Sequence, residues 1–153
     1  QWHHLQLIPD PSRTPLVRKT IDGIRRTHGK PKIKAKALRL EHLVTMLSTL
    51  QALPDSNKKA RDRALLLVGF FGAFRRSELV AITVEDLSWE PEGVLISLPK
   101  SKTDQELDGL NCALPYGNEP ICPVKALKNW LGWAGISQGP VFKPVNRWDQ
   151  IQD

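Results

Sequence analysis

Cysteine is scarce in this sequence: 153 residues hold two, Cys112 and Cys122. Two thiols at that spacing exclude a zinc cluster and a disulfide-dense scaffold, and both are expected to stay reduced. Histidine is confined to His3, His4, His28 and His42, and tyrosine to Tyr116. The His3-His4 pair reads as surface rather than as metal ligands, so no metal is expected. No apolar run approaches the ~20 residues of a membrane span, and Gln1 to Asp10 lacks the cationic start and apolar stretch of a signal peptide. An intracellular protein with no membrane partner is therefore expected.

What is present is ordinary in amount and uneven in placement. Hydrophobic residues at 41% and charged residues at 25% suit a globular protein rather than a disordered or fibrous one. The length allows one domain of usual size or parts of two. Gln1 to Lys36 carries nine Lys or Arg against two acids, whereas Ala37 to Asp153 carries thirteen against fourteen. The whole positive excess thus sits in the first quarter, a distribution suited to a polyphosphate partner because each neutralised phosphate releases counterions.

Thr14-Pro15 is a helix start, with Thr as cap and Pro at the first helical position, and Leu16, Val17, Thr20, Ile21 and Ile24 follow at helical spacing. Gly29 and Pro31 end that helix, and Lys30 to Lys36 follows as an extended basic linker. Leu40, Leu43, Val44, Leu47 and Leu50 predict an amphipathic helix to about Ala52, whose start is poorly specified by Arg39. The next helix runs from Lys59 to Ala73, apolar nearly all round from Ala64 to Phe71 and hence expected buried, and Gly72 should end it. Ser88 to Gly93 reads as a turn. Val94-Leu98 and Leu110-Leu114 read as an antiparallel hairpin, about 93-115, with the polar stretch 101–109 at its tip. Pro123 to Ala134 is a last helix, with Trp130 and Trp133 as core anchors and Gly132 and Gly135 loosening its end. Lys143 to Asp153 shows no clear period. The fold class is α+β, mainly helical with a small antiparallel sheet.

The chain is organised around Leu65 to Val80. A long apolar segment broken at Gly72 delivers Arg75, Arg76 and Glu78, and such a cluster stays beside a core only when paired or holding an anion. A short helix beginning near Arg75 to Ser77 would offer its amides to a phosphate. Glu78, three residues on, is near enough to fix the Arg75 guanidinium, whose forked donors hold a phosphate with two hydrogen bonds.

Ala73-Phe74-Arg75-Arg76-Ser77-Glu78-Leu79 resembles the arginine box of the tyrosine recombinase (phage integrase) family, whose usual form is Gly-Leu-Arg-x-Ser-Glu-Leu. The resemblance continues in family order through Val84-Glu85-Asp86-Leu87, Ser101-Lys102-Thr103-Asp104-Gln105, Cys122-Pro123-Val124-Lys125-Ala126-Leu127 with Trp130-Leu131, and Gly139-Pro140-Val141-Phe142, covering roughly Thr14 to Phe142. It implies three parts: residues 1-29 as the end of a helical core-binding domain, 30-37 as a basic interdomain linker, and 38-153 as the first part of the catalytic domain. It also implies that Arg75 binds the scissile phosphate, that Glu78 steadies it, and that Lys102 on the hairpin protonates the leaving five-prime oxygen. Lys100 rivals Lys102 and is expected to touch backbone phosphate, as are Arg76 and the linker residues Lys30, Lys32, Lys34 and Lys36. The implied partners are double-stranded DNA and other protomers assembled on it, the implied setting is cytoplasmic, bacterial-type and nucleoid-associated, and the implied reaction uses neither metal nor cofactor.

A complete member also has a His-x-x-Arg box, a further His or Trp, and a nucleophilic tyrosine beyond this point. Here every histidine precedes Arg75, and Tyr116 sits too early and reads as structural. The chain is therefore expected to be an incomplete segment that does not cleave DNA alone, since removing part of a cooperative catalytic set removes most of the rate. Type IB topoisomerases use similar chemistry, but the Ser-Lys-Thr-Asp-Gln run and the Cys-Pro box favour the integrase side. From other classes, a non-catalytic DNA-binding module derived from an integrase, or a helical domain whose basic arm meets an acidic protein, stays open.

Overall fold

A computed structural model describes residues 10–30, 36–98 and 110–152. The chain divides into two units, Gln1–Ala37 and Leu38–Asp153. In the first, a 3-10 turn at Pro11–Arg13 leads into helix α1, Pro15–His28. Proline opens α1 as its fixed φ predicts, but Thr14 is no side-chain cap. Its hydroxyl donates backward to the Pro11 carbonyl at 2.8 Å, so the helix start relies on proline alone. The predicted apolar stripe is there, yet no residue of α1 is buried and Leu16 is 77% exposed.

The second unit contains α2 (Leu40–Gln51), α3 (Asn57–Phe71), α4 (Arg76–Ala81), a 3-10 turn (Val84–Asp86), strands β1 (Leu87–Glu90), β2 (Gly93–Leu98) and β3 (Leu110–Pro115), and α5 (Pro123–Ala134). All three strands are antiparallel in the order β1-β2-β3, with Leu87 opposite Ile96 and Leu98 opposite Leu110. Leu43 and Leu47 of α2, Leu67 and Val68 of α3, Val94 and Ile96 of β2, and Val124, Leu127 and Trp130 of α5 meet in one buried cluster. Trp130 fills its centre with no exposed surface, and its indole N–H donates to the Val141 carbonyl at 2.7 Å, which removes the cost of burying that polar atom.

Several expectations need correction. Ser88 to Gly93 is not all turn: Leu87–Glu90 pairs with β2, and only Pro91 and Glu92 turn. Four residues on an edge bury too little to leave an alternating pattern in sequence. Trp133 is 58% exposed rather than core, because a three-residue step in the last turn of α5 rotates it about 60° off the Trp130 side. The apolar stretch Ala64 to Phe71 is not buried throughout, for Phe71 is 42% exposed, and on α2 Leu40 and Val44 remain 47% and 40% exposed. The α2 start, poorly specified by Arg39, gains order from His42, whose Nδ1 accepts the Arg39 N–H at 3.1 Å. Gly135 ends α5 in the left-handed region at φ 64°, as a helix C-terminus favours.

Candidate functional site

Between α3 and α4 the chain reverses within four residues. Gly72 closes α3, its N–H donating to Val68 O at 2.9 Å. The Phe74 ring then folds back over it: a Cβ on Gly72 would stand 2.3 Å from Phe74 Cε2, so only glycine fits. Ala73, between them, has φ 50°, a left-handed conformation that costs an L-residue about 1 kcal/mol or more. It occupies the position of the glycine in the usual arginine box. Cys112 of β3 touches this turn, its thiol 3.9 Å from the Gly72 carbonyl oxygen. Leu79 seats α4 against α3, where a Cβ added to Gly69 would lie 3.0 Å from Leu79 Cδ2.

This turn delivers Arg75 to the N-cap of α4 in extended backbone conformation. Glu78 clamps it twice: the Arg75 N–H donates to Oε2 and the guanidinium Nη1 to Oε1, each at 2.8 Å. One carboxylate thus caps the helix and orients the cation. The Arg75 amide that a bare helix start would offer to an anion is taken by Glu78, so the feature facing outward is the guanidinium. The Arg75 side chain is 66% exposed and that of Glu78 21%. The backbone N–H of Arg75 first, and its guanidinium second, hold the Glu78 carboxyl below the usual glutamate range. Arg76 is exposed beside this pair, and its guanidinium makes no ion pair among the described residues.

The next motif is structural. Asp86 accepts the Thr83 N–H and hydroxyl at 2.8 Å each, and Glu85 accepts the Gly139 N–H at 2.9 and 3.2 Å. That N–H is the main cause holding the Glu85 carboxyl below its ordinary range. Together with Val141 N–H donating to Ile82 O at 2.9 Å, these bonds tie the 139–141 segment to the end of α4. Cys122 caps α5, its sulfur accepting the N–H groups of Gly117 at 3.2 Å and Lys125 at 3.4 Å. Tyr116 is engaged structurally: its hydroxyl lies 2.6 Å from Lys128 Nζ, which also sits 4.8 Å above the Trp89 ring.

The structure therefore brings Arg75, Arg76 and Glu78 together. Lys30 and Lys36 are exposed residues of the first unit. Lys32 and Lys34 of the linker, and Lys100 and Lys102 between β2 and β3, lie outside the described residues. What sequence reasoning missed is the strained Ala73. The signal for it was the departure from glycine in the box. Among the described residues no group of three or more His, Cys, Asp or Glu could hold a metal, and no helix is long and apolar enough to cross a membrane.

No family model matches the chain. It is similar to a protein of Selenomonas ruminantium named integrase/recombinase xerD homolog, with 40% identity over 147 residues. That alignment covers 94% of this chain and 42% of the relative, so the chain spans less than half the length of the protein it matches.

Proposed function

We propose, for a chain that belongs to the tyrosine recombinase family, that the protein of which it is part breaks and rejoins DNA at specific sites through a phosphotyrosyl intermediate. The observation carrying this reading is the Arg75–Glu78 clamp, a forked cation oriented by one carboxylate and exposed at the end of a strained turn. Arg75 would bind the non-bridging oxygens of the scissile phosphate, where charge grows as a tyrosine oxygen attacks phosphorus. As the bond to the five-prime oxygen breaks, Lys102 would pass its proton to that oxygen, which otherwise leaves as a poor alkoxide. Glu78 acts through Arg75 as a positioning residue.

In this reading residues 1-29 end a core-binding domain, 30-37 link it, and 38-153 begin the catalytic domain. Lys30, Lys32, Lys34, Lys36, Arg76 and Lys100 follow the backbone of cytoplasmic duplex DNA, on which further protomers assemble. Arg75→Ala is the test, made in the longer polypeptide that supplies the nucleophilic tyrosine. Covalent adduct formation on a nicked duplex should fall roughly 100-fold or more, while duplex affinity, spread over many phosphates, persists. An unchanged adduct rate would end the reading.

A second reading is favoured by one observation: the 153 residues contain no histidine after His42 and no tyrosine but Tyr116. By itself the chain then acts as a DNA-binding module. Incubated alone with the nicked duplex, it should bind and form no covalent adduct, and an adduct would overturn this second reading.

A further inference from the structure

The N-terminal end of α3 lies about 22 Å from its Arg75 end, at ~1.5 Å per residue over 15 residues, and presents a different surface. Val145 pairs with Ile151 there as an isolated antiparallel bridge, and Asn146 Oδ1 accepts the N–H groups of Trp148 at 2.9 Å and Gln150 at 3.0 Å. The Asp149 carboxylate accepts the N–H groups of Asn57 at 2.8 Å and Lys58 at 2.9 Å, fastening this turn to the first residues of α3. What the fastened turn displays is Arg147, stacked 4.5 Å over the Trp148 ring, with Trp148 69% exposed. Beside it runs a groove of about 620 Å³ lined by the apolar Leu53, Pro54 and Val145 and by Lys58, Arg147 and Asp149, the carboxylate of the last being taken up by the α3 amides. Neither cation meets a carboxylate among the described residues. Exposed Trp and Arg beside an apolar lining is the composition of an interface centre rather than of a solvated face.

The chain also carries the opposite charge on an exposed turn. The β1–β2 turn, Glu90-Pro91-Glu92, is exposed; the Glu92 side chain has no partner among the described residues, and the Glu90 carboxylate accepts only the Ser88 hydroxyl, at 2.9 Å. We propose that the Lys58–Arg147 groove receives the Glu90–Glu92 turn of a second copy of this chain, with the two carboxylates against the two cations and Pro91 against the apolar lining beside Trp148. The contact is head-to-tail, using different surfaces of the two copies, and therefore joins copies in series rather than in a closed pair. It leaves Arg75, at the far end of α3, available to DNA, and it deepens the reading of protomers assembled on DNA while being measurable without DNA.

Sedimentation equilibrium at low salt tests it with the whole chain, from low micromolar to the highest soluble concentration. The wild type should self-associate, and Lys58→Glu/Arg147→Glu or Glu90→Lys/Glu92→Lys should each lower the association constant about tenfold or more, since like charges then face each other. The fourfold charge swap should recover association, which also shows that its parts still fold. A monomeric wild type, double variants that associate like wild type, or a swap without recovery would each overturn the proposal. A gel shift in parallel separates the two readings. Lost DNA binding with intact self-association fails the DNA reading alone, and intact DNA binding by a monomer fails this proposal alone.

Discussion

A carboxylate works beyond each end of α3, in opposite ways: one caps α4 just past the C-terminal end, and the other holds the N-terminal amides of α3 itself. At the C-terminal end Glu78 reaches three residues back along the chain to Arg75, and the bond serves a cation that stays exposed. At the N-terminal end Asp149 reaches across 91 and 92 residues of sequence to the amides of Lys58 and Asn57, and the bond serves the fold. Each end also holds a non-glycine residue in the left-handed region, Ala73 at φ 50° and Asp149 at φ 60°. The cause differs. Ala73 is bent by the reversal that presents Arg75, whereas an aspartate tolerates that conformation and is held in it by its own side-chain bonds. A local carboxylate can thus orient a working group without stabilising much, and a distant one closes the domain.

That contrast can be broken from either end. Asp149→Ala should destabilise most, by about 2–3 kcal/mol, since it leaves two α3 amides without their acceptor and places alanine at positive φ. Asp149→Asn, which tolerates the backbone and keeps one acceptor oxygen, should cost roughly half as much. Urea unfolding at neutral pH checks both, and equal losses would mean that the carboxylate is not what matters. Ala73→Gly should act in the opposite direction, stabilising by about 1 kcal/mol by releasing strain. A loss of stability there would show that the alanine methyl makes a contact outweighing its strain.

Glu78→Gln should have the smallest effect on stability, and a pH-dependent one. The folded carboxyl is held below its ordinary value of 4.5, so the unfolded chain takes up the proton first on acidification. The contribution is complete above that ordinary value and is lost as pH falls through the lower folded value. The stability gap between wild type and Glu78→Gln should therefore be flat near neutrality and close in acid below 4.5. A gap that grew on acidification would reverse the assigned direction.

Much of this was legible because it is local. Pro15 and Pro123 open helices, Gly72 and Gly135 close them, and the Arg75–Glu78 spacing of three residues predicts a clamp that the backbone of a short helix start makes unavoidable. The illegible parts are relations between distant segments. Strand β1 shows no alternation because its four residues are held by the backbone of β2 rather than by their side chains. Trp133 follows the same apolar pattern as Trp130, yet only Trp130 has Val141 and the sheet to pack on. Residues 143–152 look featureless until Asp149 is seen to cap α3.

Sequence by itself determined which prolines open helices, which glycines close them and which arginine is held by which glutamate, because those outcomes depend on φ preferences and hydrogen bonds spanning a turn or less. Tertiary structure alone decided which tryptophan is buried, that the backbone at Ala73 turns into the left-handed region, and that a turn near residue 147 rests on the first residues of α3. The physical reason is range: burial and long-distance capping depend on which surfaces meet in space, and no periodicity along the chain records that meeting.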